Sequence, residues 1–189
     1  MGPLASKEPS KLLETKRYID VQKIRFEVNR IELPIGLEKT FGIIRHPGAA
    51  LAIPIKQNGN IIVLRQYRFA VSRRILEFPA GTLEQGEDPL SSIQRELGEE
   101  SGYQASKWDS LGIMLPCPGY SDEEIHIFLA RDLKEMDLKP TGDDDEDIEV
   151  LEMTKKEFEN CISSGDEALD GKSITAWHRA SQFLRQAND

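Results

Sequence analysis

The chain has 189 residues, 39% of them hydrophobic and 30% charged, enough for one domain with a core that needs no disulfide or metal staples. Lys and Arg total 24 against 33 Asp and Glu, and the net charge of -9 argues against a general nucleic-acid binder, which needs a basic surface. The longest uncharged apolar run, residues 48–55, is far too short to cross a bilayer.

Residues 1–20 form a polar lead without the apolar stretch of a secretory signal, so the expected location is the cytoplasm. Cys117 and Cys161 have neither metal spacing nor a disulfide pattern and read as two reduced thiols. Residues 24–33 alternate apolar and polar, as a half-buried strand does. Turns at Pro34-Ile35-Gly36 and His46-Pro47-Gly48 bracket a strand over 40–45. Segments 49–55 and 61–68 predict a hairpin joined around Asn58-Gly59. Further strands are expected at 75–78, 110–115, 124–130 and 148–153.

Three helices are expected. The first, 89–101, has Asp88 at its N-cap, Pro89 at its first position and Gly102 just past its end. A short one covers 155–163. The last covers 172–186, with Ile174, Trp177, Ala180, Phe183 and Leu184 on an apolar face. Residues 21–48 read as a small N-terminal β element and 49–189 as the main domain, of mixed α/β class.

The acids are unevenly spread. Residues 84–100 carry six acids and one base, and residues 143–149 six more with none. Acidic runs are usually solvated faces, but two in one small domain also suit oxygen ligation of cations. On the first helix Leu90, Ile93 and Leu97 share one arc, while Glu96, Glu99 and Glu100 share an adjacent one. Like charges at these spacings destabilise a helix by a few tenths of a kcal/mol per pair, and Gly98 costs roughly 1 kcal/mol more. A divalent cation would offset that repulsion.

From Gly81 the chain reads glycine, five residues, Glu87, seven residues, then Arg95-Glu96-Leu97-Gly98-Glu99-Glu100-Ser101-Gly102-Tyr103. This resembles the Nudix box, G-x5-E-x7-R-E-U-x-E-E-x-G-U with U aliphatic. Every fixed letter matches, and only Tyr103 departs, at a packing position. The resemblance implies a Nudix-type α/β/α sandwich around a mixed sheet, with an N-terminal antiparallel β appendage. It implies that Glu96, Glu99 and Glu100, with the backbone carbonyl of Ala80, hold Mg²⁺ or Mn²⁺ for hydrolysis of a nucleoside diphosphate linked to another moiety. Gly81, Glu87, Arg95 and Gly102 would be structural, with Arg95 and Glu87 paired.

Outside the box, Gln66-Tyr67-Arg68 and Leu76-Glu77-Phe78-Pro79-Ala80-Gly81 resemble the approach to the box in ADP-ribose pyrophosphatases, and so does the loop at Pro118-Gly119. That subfamily implies ADP-ribose as substrate and a homodimer formed through the appendage. It also implies a loop carboxylate near the metals, matched best at Glu146, while Asp144, Asp145 and Asp147 read as loop residues in solvent. Glu99 and Glu100 are the other catalytic candidates. Arg68, ending a strand ahead of the box, is the first phosphate-binding candidate and Arg45 the second. Phe26, Phe41 and Trp177 read as core aromatics, and His46, His126 and His178 receive no chemistry. A Nudix hydrolase of GDP-mannose or of a dinucleotide is the enzymatic alternative, and a silent ADP-ribose-sensing module the non-enzymatic one.

Overall fold

The computed structural model describes residues 9–137 and 147–186. These divide into two units, Met1–Gly48 with Leu115–Glu124, and Ala49–Met114 with Ile125–Asp189.

The first unit is built on an antiparallel sheet of β1 (Lys11–Val21), β2 (Ile24–Glu32) and β3 (Glu38–Arg45), in that order. The polar lead of the sequence therefore contributes a whole strand. Its polar residues hid it, because β1 lies largely in solvent and its pairing is interrupted by two register shifts. Strand β2 has the expected bounds but an unexpected burial pattern. Ile24 and Phe26 are exposed while Asn29 is fully buried. Residues 115–124 return to this unit, where the Ile44 N–H donates to the Tyr120 carbonyl at 2.7 Å.

The second unit holds two sheets. One is antiparallel, in the order β10 (Ile148–Met153), β5 (Ile61–Arg68), β6 (Arg73–Glu77). The other is mixed, in the order β7 (Ala80–Thr82), β4 (Ala49–Pro54), β9 (Ile125–Glu135), β8 (Tyr103–Met114), with β4 and β9 parallel. Three helices complete the unit: α1 (Pro89–Glu96), α2 (Lys155–Ser164) and α3 (Gly171–Gln186). Among the described residues no helix is long and apolar enough to cross a membrane.

The expected hairpin of β4 and β5 is corrected. Its turn is present, with Gly59 at φ 86° and the Lys56 N–H donating to the Asn60 carbonyl at 2.8 Å. After one bridge between Ile55 and Ile61 the strands part into different sheets. Burial on both faces explains the separation. Leu51 and Ile53 pack with Ile61, Val63, Phe78, Phe158 and Trp177 in one cluster. Ala50 and Ala52 face the other way, with Ile93, Leu97 and Phe128. A strand covered on both sides takes its partners from a central position, and the alanines let α1 approach closely.

Helix α3 packs Trp177, Ala180, Phe183 and Leu184 on the core as the periodicity predicts, and departs from it at its first turn. Ser173, Ala176, Trp177 and Ala180 are buried, and Ile174 is exposed. The polar Ser173 occupies a core position because its hydroxyl accepts the buried Phe78 N–H at 3.0 Å. Ser173→Ala should therefore cost about 1–3 kcal/mol by orphaning that donor. Ile174→Ala, a core truncation by the sequence pattern, should cost under about 1 kcal/mol. Urea denaturation of the two variants checks the order.

Candidate active site

The box begins where β7 pairs with β4, Gly81 opposite Ala50. A Cβ built on Gly81 would overlap the carboxyl group of Glu96. The glycine is thus the seat of that carboxylate, and any side chain there would displace it.

The chain then turns through a loop held by its own acids. Glu87 accepts the Glu84 N–H at 2.9 Å. Asp88 caps α1 by accepting from the Ser91 N–H at 2.9 Å, with Pro89 in the first turn. Ile93 and Leu97 bury the inner face of the helix against β4 and β9. After Glu96 the helix widens into a π-helical turn, Leu97–Ser101, which ends at Gly102 with φ 77°. The single uniform α-helix expected over 89–101 is corrected on this point. Single π turns are rare and recur at functional sites. The Ser101 hydroxyl donates to the Leu97 carbonyl at 2.5 Å, and the Gly102 N–H closes on the Gly98 carbonyl at 2.9 Å.

Arg95 stands among the carboxylates. Its guanidinium lies 2.7 Å from Glu99, 2.9 Å from Glu96 and 3.5 Å from Glu87. Burial works against its charge, but Glu96 and Glu99 outweigh burial and hold it protonated far above neutral pH. Glu87 is held below its ordinary pKa, first by the Glu84 N–H and, among weaker causes, by Arg95. The Glu87–Arg95 pair inferred from the resemblance is present but is the longest of the three. Glu100 is 4% exposed and accepts the Ala80 N–H at 2.9 Å.

Among the described residues, no three His, Cys, Asp or Glu side chains are gathered closely enough to hold an ion as they stand. Glu96 and Glu99 point to Arg95, and Glu100 to a backbone amide. The donor set still fits a hard divalent cation. It offers carboxylate oxygens without thiolate or imidazole, on one helix turn, with one of them buried beside the backbone of Ala80.

Arg68 also lies in this unit. Its Nε and Nη2 each donate to Glu77 at 2.8 Å, a bidentate pair with a carboxylate that is 1% exposed. Lys172 adds a third bond to Glu77 at 2.6 Å and an ion pair to Asp170. Sequence reasoning gave no role to Glu77, Asp170 or Lys172. The readable signal was one acid, Glu77, placed in an apolar strand two residues before Pro79.

The other candidates are placed differently. Arg45, Pro118 and Gly119 belong to the first unit. Arg45 pairs there with Glu27 and Asp122, each at 3.0 Å. The Pro118-Gly119 turn closes with the Tyr120 N–H on the Cys117 carbonyl at 3.1 Å, and φ at Gly119 is not positive, which excludes a type II turn. Glu146 lies outside the described residues. Its neighbour Asp147 is no loose loop acid, because it pairs with Arg74 and its carbonyl accepts the Tyr67 N–H at 3.2 Å.

Gly81→Ala should expel the Glu96 carboxyl from its seat. The expected result is a fall in stability of about 1–3 kcal/mol from overpacking, together with loss of most hydrolytic activity. A folded Gly81→Ala protein with wild-type turnover would refute this role for the glycine.

The NUDIX domain profile matches residues 45–177. The chain is 38% identical over 149 residues to the ADP-ribose pyrophosphatase of Bacillus subtilis (strain 168), covering 79% of this chain and 80% of that one. It is 35% identical over 166 residues to the methanol dehydrogenase activator of Bacillus methanolicus, covering 88% and 89%. A solved structure described as an ADP compounds hydrolase superposes with a TM-score of 0.80 over 97% of this chain and 98% of that one, at 20% identity, and so shares the fold. With its box complete and its fold matched, the chain belongs to the Nudix family.

Proposed function

We propose that the protein is a metal-dependent pyrophosphohydrolase that cleaves ADP-ribose with water to AMP and ribose 5-phosphate. The observation that carries this reading is the trio Glu96, Glu99 and Glu100 on the α1 and π-turn segment. It occurs in a chain 38% identical to an ADP-ribose pyrophosphatase. Glu96, Glu99, Glu100 and the Ala80 carbonyl would hold Mg²⁺, with Mn²⁺ the alternative. A bound divalent ion neutralises charge on the phosphates and lowers the pKa of its water.

The chain's own residues have separable tasks. Gly81 admits the Glu96 carboxylate, Arg95 holds Glu96 and Glu99 in place, and the Ala80 N–H orients Glu100. Arg68 supplies a fixed positive charge for a substrate phosphate. Glu146 takes the proton of the attacking water as the bond from phosphorus to the bridging oxygen breaks. Arg45, Pro118 and Gly119 contribute to substrate binding. The free thiols of Cys117 and Cys161 accord with a cytoplasmic enzyme.

Phosphatase-coupled phosphate release from a panel of ADP-ribose, GDP-mannose and a dinucleoside polyphosphate tests the substrate. ADP-ribose should be turned over with the highest kcat/KM, and preference for another member would replace it. Within that assay Glu100→Gln should lower kcat by about two orders of magnitude or more. Glu146→Gln should lower kcat strongly and leave KM nearly unchanged, the signature of a group acting in the transition state. Near-normal turnover in either folded variant removes that residue from the mechanism.

The first unit also supports a homodimer. Its sheet exposes Leu12, Tyr18, Ile19, Val21, Ile24 and Phe26, an unusual load of large apolar groups for one small sheet. A twofold interface is the commonest way to cover such a surface. Sedimentation equilibrium at micromolar concentration should give twice the mass of 21.3 kDa, and a monomer there contradicts the assembly.

A further inference from the structure

Beside the box lies a charged cluster that the box does not require. The segment preceding α3 is docked on β6, where Leu76 bridges Leu169 and the Leu76 N–H donates to the Ala168 carbonyl at 2.8 Å. Asp170 accepts the Ser173 N–H at 2.8 Å with one oxygen, as the cap of α3, and holds Lys172 with the other. Lys172 spans from Asp170 to Glu77, and Glu77 holds Arg68. Charges alternate along this chain of four, so the cluster is neutral. An ionised carboxylate as buried as Glu77 requires such partners.

The orientation of Arg68 is the informative part. A guanidinium has five N–H donors in a rigid plane, with more than one edge able to grip an oxyanion. Arg68 uses the Nε and Nη2 edge on Glu77, and Nη1 lies on the other side. The side chain is 41% exposed although its partner is buried. Strand β5, which ends in Arg68, is in contact with the π turn that carries Glu100. Burial lowers the guanidinium pKa, but Glu77 and, more weakly, Glu100 and Asp170 raise it further, so the group stays charged.

We propose that Glu77, braced by Lys172 and Asp170, is a positioning residue that turns the outer edge of the Arg68 guanidinium toward a phosphate of a nucleoside diphosphate substrate. This rests on reading the site as a pyrophosphohydrolase centre. Glu77 touches no reacting atom. It fixes the rotamer of Arg68 before substrate arrives, so the bound phosphate does not have to order a long, flexible side chain. Lys172 and Asp170 tie that orientation to the first turn of α3. The pair Arg68–Glu77 thus faces the buried cluster with one edge and the substrate with the other.

Glu77→Asp keeps the charge that neutralises Lys172 but shortens the reach to Arg68. Its kinetics are measured in the wild-type and Arg68→Ala backgrounds, on whichever panel substrate the wild-type enzyme turns over best. In the wild-type background kcat/KM should fall about tenfold or more, mostly through KM. In the Arg68→Ala background the same change should have an effect under about twofold, because the group it acts through is gone. Equal effects in both backgrounds, or wild-type kinetics for Glu77→Asp beside a crippled Arg68→Ala, would overturn the proposal. If thermal melting shows Glu77→Asp unfolded, Lys172→Met takes its place in both backgrounds, and the same two patterns support or overturn the role. A wild-type enzyme that hydrolyses no panel member rejects the pyrophosphohydrolase reading itself, and the positioning role falls with it.

Discussion

Gathering carboxylates on one helical turn is the constraint that organises the rest of this site. Glu96, Glu99 and Glu100 repel one another, and Glu87 is added from the preceding loop. Three features of the fold hold the arrangement together. Arg95 bridges Glu87, Glu96 and Glu99. Gly81 leaves room for the Glu96 carboxyl against β7, and the Ala80 N–H donates to Glu100. Two of the three therefore come from β7, so the strand and helix are matched by electrostatics as much as by packing. The apolar contribution, Ile93 and Leu97 against Ala50 and Ala52, sets how near they stand.

The box could be read from the sequence because its constraints are local. A glycine seat, a capped helix, an arc of acids and a terminal glycine each leave a mark on residue type at fixed spacing. The widening of the helix at Leu97 left none, since 97–101 carries no residue that forbids an α-helix. The Arg68–Glu77–Lys172–Asp170 cluster was illegible for another reason. It joins β5 and β6 to the start of α3, far along the chain, and pairing at that distance leaves no periodic signal. Arg68 alone could be singled out, and its partners required the fold.

Strands β4 and β5 were themselves legible, but their pairing was not, for the same physical reason. Residues 49–55 and 61–68 have a hairpin turn between them, and turn chemistry alone predicts a paired ribbon. The structure keeps the turn and divides the strands, because β4 buries side chains on both faces and takes β7 and β9 as neighbours. In the first unit burial does not follow hydrophobicity, with Asn29 inside and Phe26 outside. Alternation reports a surface awaiting cover, and it does not say which molecule supplies the cover.

Polar groups in the core of the second unit follow one logic. Ser173 and Glu77 occupy positions where an apolar side chain would pack, and each has hydrogen-bond partners. Ser173 is used where β6 runs into the loop before β7, at the Phe78 N–H, which lies beyond the last paired residue of the strand. Glu77 precedes it and takes two cations, one from β5 and one from α3. Glu77 and Phe78, the last two residues before Pro79, thus bind the start of α3 to the strand that leads into the box. Apolar side chains in place of Glu77 and Ser173 would orphan the Phe78 N–H and leave Arg68 and Lys172 without their shared carboxylate. The polar contacts specify one position, and the seat at Gly81, four residues beyond Glu77, inherits it.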